Sequence, residues 1–215
     1  MFATHVALLP LLLFASAAFP QQPVAPPPAP SDSGPSLADT MKYIQDKFHA
    51  IGEMRHVLIF ESGSASDEFK YTEVVADASQ CTLESNFITT INSSDGSTTT
   101  ILSTLLLPLG KVVSIEVKRE SNPENGAFTF SPFFTELTVK TTDAAIHYHQ
   151  EITSLGAPPA KVDKKHPAPT PSTTIVEKEV KASSYLFDEE DAADRTAKAL
   201  LHAIELCGGG KKELF

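Results

Sequence analysis

Apolar positions change their spacing twice along the chain, and the changes divide it into helix, sheet and helix. Leu37, Met41, Ile44, Phe48 and Ile51 recur at intervals of four, three, four and three, the period that places side chains on one face of an α-helix. Ser36 with Asp39 is an N-terminal cap signal ahead of that stripe, and Gly52 stops it. The same spacing returns in Ala193, Ala197, Leu200, Ile204 and Cys207, with Leu201 beside them. Asp188 is the expected cap of this second helix, Asp191 the second member of its capping box, and Gly208 to Gly210 its stop. The acidic run from Asp188 to Asp194 suits the positive end of the helix dipole. Ala and Cys make up most of the stripe, so the helix is expected to sit close to its support.

Between the helices the period is two. His56 to Glu61, Phe69 to Ala76, Cys81 to Asn92, Thr98 to Leu107, Val112 to Lys118, Phe133 to Thr141 and Ile146 to Ile152 read as strands, with Thr174 to Lys181 and Ser184 to Phe187 as shorter ones. Turn chemistry separates them, as in Ser94-Asp95-Gly96 and Pro108-Leu109-Gly110. Up to Ile152 the strands follow one another closely, and the longest gap, residues 119–132, holds the turn residues Asn122-Pro123-Glu124-Asn125-Gly126, so antiparallel connection is implied. The expected fold class is mainly β (α+β): a meander bent into a barrel or sandwich, with an N-terminal helix and a C-terminal amphipathic helix.

Composition adds the flanks. Residues 1–17 carry no Asp, Glu, Lys or Arg, contain an apolar run from Val6 to Phe14 and end in Ala15-Ser16-Ala17, the pattern of a signal peptide cleaved near Ala17. That pattern predicts an exported chain, periplasmic or secreted. The apolar run is too short to span a bilayer. Residues 18–35 hold seven prolines among Ala, Gln, Ser and Gly, which reads as a disordered tether rather than a folded segment. Residues 156–173 hold five prolines and no apolar period, so a disordered insertion is expected inside one domain spanning 36–208, followed by a flexible tail at 209–215.

The net charge is −10, which opposes general binding to nucleic acid or anionic lipid. Cys81 and Cys207 permit one disulfide in an exported protein; two small buried side chains are the other reading. Neither has a CxxC partner, so redox and zinc roles find no support.

The order of many short strands followed by one amphipathic helix, carried by Leu105 to Glu120 and by Tyr185 to Cys207, resembles pleckstrin-homology-like domains. That resemblance implies a bent barrel plugged at one end by the last helix. The segments Asp39 to Phe48 and Ala197 to Gly209 resemble the two ends of a family of uncharacterised exported bacterial proteins that share a D-T-x-K-x-I-Q-x-K opening and an H-A-x-E-L-C-G-G close. This second resemblance implies boundaries and no activity.

Few residues offer chemistry. His147 and His149 share one face of a strand, as two imidazoles of some metal sites do. Ile146, Tyr148 and Ile152 would take the core face and leave both histidines to solvent. A third ligand would have to come from His56, His202 or Glu136. No G-x-S-x-G, phosphate loop, HExxH or dinucleotide fingerprint occurs. Phe128, Phe130, Phe133 and Phe134 form the densest aromatic cluster, expected to fill core at a strand corner or else to form an apolar rim. The sequence therefore points to a non-catalytic binding or scaffold module that recognises a peptide or protein, with no cofactor. A carrier of a small apolar ligand inside the barrel is the alternative, and a metal-dependent enzyme built on the His-x-His strand comes last.

Overall fold

The computed structural model describes residues 34–60, 63–119, 134–159 and 168–210, and every element below lies within Pro35–Phe215. The expected signal segment, almost all of the tether, Phe128, Phe130 and Phe133, the middle of the 156–173 insertion and residues 211–215 fall outside the described residues.

Helix α1 spans Leu37–Ala50. The Ser36 Oγ accepts the Asp39 N–H at 3.2 Å and its hydroxyl donates to the Asp39 carboxylate at 2.6 Å, so two short polar side chains satisfy each other and a helix-end donor. Met41, Ile44 and Phe48 are buried, as the stripe requires. Helix α2 spans Glu190–Leu206 and starts later than its composition suggests. Its first flanking residue is Glu189, still extended at φ −127° and ψ 130°, and no side chain caps it. The preceding strand runs to Phe187 and keeps Asp188 outside the helix, so Asp188 is not the cap, and Asp191 pairs instead with Arg195 one turn on. Ala193, Ala197, Leu200 and Ile204 are buried as expected, joined by Thr196 and Ala203. The Thr196 hydroxyl is satisfied by the Ala192 carbonyl at 2.8 Å.

Among the described residues nine strands lie between the helices: β1 (Met54–Phe60), β2 (Gly63–Asp77), β3 (Thr82–Ser93), β4 (Thr98–Pro108), β5 (Val112–Arg119), β6 (Thr135–Thr141), β7 (Ile146–Leu155), β8 (Ser172–Val180) and β9 (Ala182–Phe187). All pairings are antiparallel, in a six-stranded sheet ordered β1-β2-β3-β4-β7-β8 and a three-stranded sheet ordered β5-β6-β9. The described strands close no barrel, and the order is not a simple meander, because the chain passes between the two sheets after β4, after β6 and after β8. After β4 the chain leaves the first sheet, forms the β5–β6 hairpin in the second, and returns as β7 to pair with β4. The exit is built from Pro108, which has no N–H to offer a further strand, and a 3₁₀ turn over Leu109–Lys111. Leu109 is fully buried and donates its N–H to the Cys81 carbonyl at 2.8 Å. The third crossing is at Lys181, between β8 and β9, and the Lys181 carbonyl accepts the Thr141 N–H at 2.8 Å.

The core lies where the two helices, the three-stranded sheet and one end of the six-stranded sheet meet. Phe48 stands at its centre, with ring centroids 5.2 Å from Tyr71, 5.1 Å from Tyr185 and 5.4 Å from Phe187. Alternation in β6 is strict, with Thr135, Leu137, Val139 and Thr141 buried. The other end of the six-stranded sheet runs beyond the core, and there Ile91, Ile101 and Ile152 are only half-buried. No described helix is long and apolar enough to cross a membrane.

Cys81 and Cys207 form a disulfide-capable pair, Cα atoms 5.8 Å apart. Cys81 sits at φ 54° in the β2–β3 turn, a left-handed conformation seldom adopted by residues other than Gly, Asn or Asp. Asp77 organises that turn by accepting the N–H groups of Ser79 and Gln80 at 2.8 and 3.1 Å and the Ser79 hydroxyl at 2.7 Å. On the far side of the pair the chain after α2 is held against the body. Gly209 donates to the Ile204 carbonyl and Gly210 to the Val112 carbonyl, at 2.8 and 2.9 Å. A Cβ at Gly209 would stand 2.5 Å from the Leu109 carbonyl oxygen, so only glycine fits there.

The Ser79 hydroxyl, followed by the Gln80 and Ser79 N–H groups, holds the Asp77 carboxyl below its ordinary range, and the Ser97 N–H and hydroxyl do the same for Asp95. A depressed folded-state value means that these groups favour folding above the unfolded carboxylate range, about pH 4, and lose that effect as pH falls through the lowered values. Replacing both by alanine is expected to flatten the pH dependence of the urea midpoint below about pH 4. An unchanged acid limb would refute the assignment.

Candidate functional site

The division into two sheets leaves β9 with a partner on one side only, and that free edge is the most distinctive surface of the described residues. Thr141 donates to the Lys181 carbonyl, and register pairs Val139 with Ser183 and Leu137 with Tyr185. Odd-numbered residues of β9 therefore direct their backbone groups toward β6, and even-numbered ones direct theirs away. At Leu186 the outward groups are engaged by one side chain: its N–H donates to the Tyr71 hydroxyl at 2.9 Å, and that hydroxyl reaches back to its carbonyl at 3.4 Å. A tyrosine of the first sheet thus occupies the place of a neighbouring strand for one residue. Burial drives the Tyr71 phenol well above its usual range, which keeps it protonated and able to donate. At Ser184 and Ala182, further along the same edge, the outward backbone groups face an open cleft.

That cleft has a volume of about 420 Å³ and runs between β9 and the inner face of the six-stranded sheet. Phe69, Phe87, Tyr148 and Val180 give it an apolar wall, and Leu186 and Ala182 line the β9 side. Within the aromatic wall Phe69 meets Tyr71 edge-on, with ring centroids 4.9 Å apart, and Phe87 at a tilt, with centroids 5.1 Å apart. Tyr148 is fixed by the Gln150 side chain, which donates to its hydroxyl at 3.0 Å. Lys178 lies at the mouth with its ammonium 4.9 Å from the Tyr148 ring centroid, a cation–π contact that leaves the charge exposed. The Tyr185 hydroxyl and Ser85 Oγ, deeper in the core, find no hydrogen bond of good geometry. Burial raises the Tyr185 phenol, while the nearby Ser85 works in the opposite sense.

The histidines fall where their strand periodicity puts them. His147 and His149 project from the outer face of β7 and are exposed, while Ile146 is buried and Tyr148 half-buried on the inner face. Each faces a glutamate directly across on β8: His147 Nδ1 is 3.4 Å from Glu179 Oε1, and His149 Nδ1 is 3.2 Å from Glu177 Oε1. His202 instead contacts the Pro35 carbonyl at 3.0 Å, and Glu136 lies on β6 in the other sheet. The side chain of His56 is outside the described set. Among the described residues no three His, Cys, Asp or Glu side chains converge on a space for an ion.

The sequence pattern finds the strands that build the cleft but not the cleft itself. Tyr71 and Phe87 carry no sign of a special role in a run that alternates like its neighbours. Their importance depends on which strands end up in which sheet. Comparison with family models, with curated proteins and with solved structures finds no match for this chain.

Proposed function

We propose that this chain is an exported, non-catalytic module that binds an extended segment of a protein or peptide along the free edge of β9. The observation that carries the reading is the Tyr71 hydroxyl engaging Leu186 in place of a strand, next to outward backbone groups at Ser184 that face an apolar cleft. Main-chain hydrogen bonds to such an edge supply affinity, and pockets for alternate side chains supply specificity. A bent, pleckstrin-homology-like sandwich is the architecture proposed for the module, supported by α2 lying across β5, β6 and β9. Export is supported by the signal pattern at 1–17 and by the disulfide-capable pair, since such bonds persist in oxidising compartments. A ligand carrier would need an enclosed apolar chamber; here the interior between the helices and sheets is filled by Phe48, Tyr71, Tyr185 and Phe187.

The test is selection of random phage-displayed peptides on the folded protein. Peptides that bind are expected to slow hydrogen exchange at the Ser184 amide and to lose about tenfold or more in affinity for Ser184→Pro. That change removes an edge donor and leaves the backbone ladder to β6 in place, and Ser184→Ala, which loses only the 3.1 Å hydroxyl contact with Thr138, is the control. Lys178→Glu should shift which peptides are selected, with the unfolding midpoint unchanged. Failure to select any peptide, or selected peptides that bind Ser184→Pro and the parent equally, would overturn the proposal.

A further inference from the structure

The outer face of the six-stranded sheet carries a second arrangement, independent of the β9 cleft. His147 and His149 are successive outward residues of β7, and Glu179 and Glu177 are their direct cross-strand partners on β8. Both carboxylates engage Nδ1, so in both rings it is Nε2 that is left without a hydrogen bond among the described residues. A carboxylate on one imidazole nitrogen fixes the ring and raises the basicity of the other nitrogen, as in the outer shell of metal-bound histidines. Two parallel residues on one strand repeat this device side by side. Above them, Thr104, Leu106 and the two His–Glu pairs bound an open basin of about 430 Å³, which leaves room for an ion with its waters.

We propose that His147 and His149 bind one divalent copper ion through their two Nε2 atoms, with water completing a tetragonal N₂O₂ set. Imidazole nitrogens favour copper most strongly among divalent first-row ions. A tetragonal copper set takes mixed nitrogen and oxygen ligands, so water can fill its remaining positions, whereas the closed four-protein-ligand set of a structural zinc site is not assembled among the described residues. The glutamates engage Nδ1, so the ion and the carboxylates do not compete for the same nitrogen.

The experiment is titration of the full chain with Cu²⁺ alone in a non-chelating buffer, followed by electron paramagnetic resonance of the one-equivalent sample. One saturable equivalent is expected, with nitrogen splitting from two imidazoles. His147→Ala and His149→Ala should each weaken it at least about tenfold, and so should the paired change Glu177→Gln with Glu179→Gln, through the supporting shell. All four side chains are surface groups, so circular dichroism of every variant should match the parent. Absence of saturable binding would overturn the assignment. So would a copper signal that survives in His147→Ala with His149→Ala, or one that is indifferent to the glutamate changes.

Discussion

Phe48→Ala is expected to lower the free energy of unfolding by about 3 to 5 kcal/mol, the range for truncating a fully enclosed aromatic residue. The magnitude follows from position. Phe48 has no exposed surface and its ring meets Tyr71 of the six-stranded sheet as well as Tyr185 and Phe187 of the three-stranded sheet. Its loss removes the transferred area and leaves a void that three rigid rings cannot close, since each is held by its own strand. Urea unfolding with an unchanged slope would report the loss as stability alone. Tyr43→Ala, on the opposite side of the same helix and 37% exposed, is the control and should stay within about 0.5 kcal/mol. A Phe48→Ala cost below about 1 kcal/mol would mean that the two sheets do not share a core.

Reduction of the Cys81–Cys207 bond is the second large effect, expected at about 4 to 5 kcal/mol on the chain-entropy account for so long a loop. The two cysteines are 126 residues apart in sequence, so the bond constrains nearly all of the folded region in the unfolded ensemble. Native packing changes little in comparison, because both side chains are only half-buried. The double change Cys81→Ser with Cys207→Ser should therefore reproduce the effect of reductant, and reductant should then have no further effect on it. A difference below about 1 kcal/mol between oxidised and reduced protein would refute the entropic account. In the reduced protein the last turn of α2 should open first, as the Cys207 bond, the Gly209 contact and the Gly210 hydrogen bond all act on the same few residues.

Both effects were open to sequence reasoning to different degrees. The α1 stripe ending in Phe48 and Ile51, the α2 stripe and all nine strands are legible because burial imposes a period that local composition records. Val112 to Lys118 shows the limit. Val113, Ile115 and Val117 are half-buried and Ser114, Glu116 and Lys118 exposed, as their alternation predicts, but a register shift between Val112 and Ser114 also buries Val112, which the alternation does not show. Asp188 misleads for a related reason, since its cap chemistry is suitable while β9 holds the backbone extended past it. Strand partnership is harder still. Nothing in the composition of Thr98 to Pro108 says that its second neighbour is Ile146 to Leu155 rather than Val112 to Arg119, because pairing is decided by which apolar faces can be covered at once. The β9 cleft inherits that ambiguity, whereas the His147–Glu179 and His149–Glu177 pairs needed only the register of two consecutive strands.

The return of the chain from β6 to β4, with α2 laid down last, sets the order in which the molecule can be completed. Strands β4 and β7 cannot pair until the intervening hairpin has been made, and the apolar surface shared by β5, β6 and β9 waits for residues 190–206. A nascent chain still missing that final segment carries a half-built interior with unpaired edges, the condition in which chaperones are needed and aggregation competes. Ribosome-stalled chains ending before Glu190 should accordingly remain protease-sensitive, and release of the last few dozen residues should convert them to a resistant form.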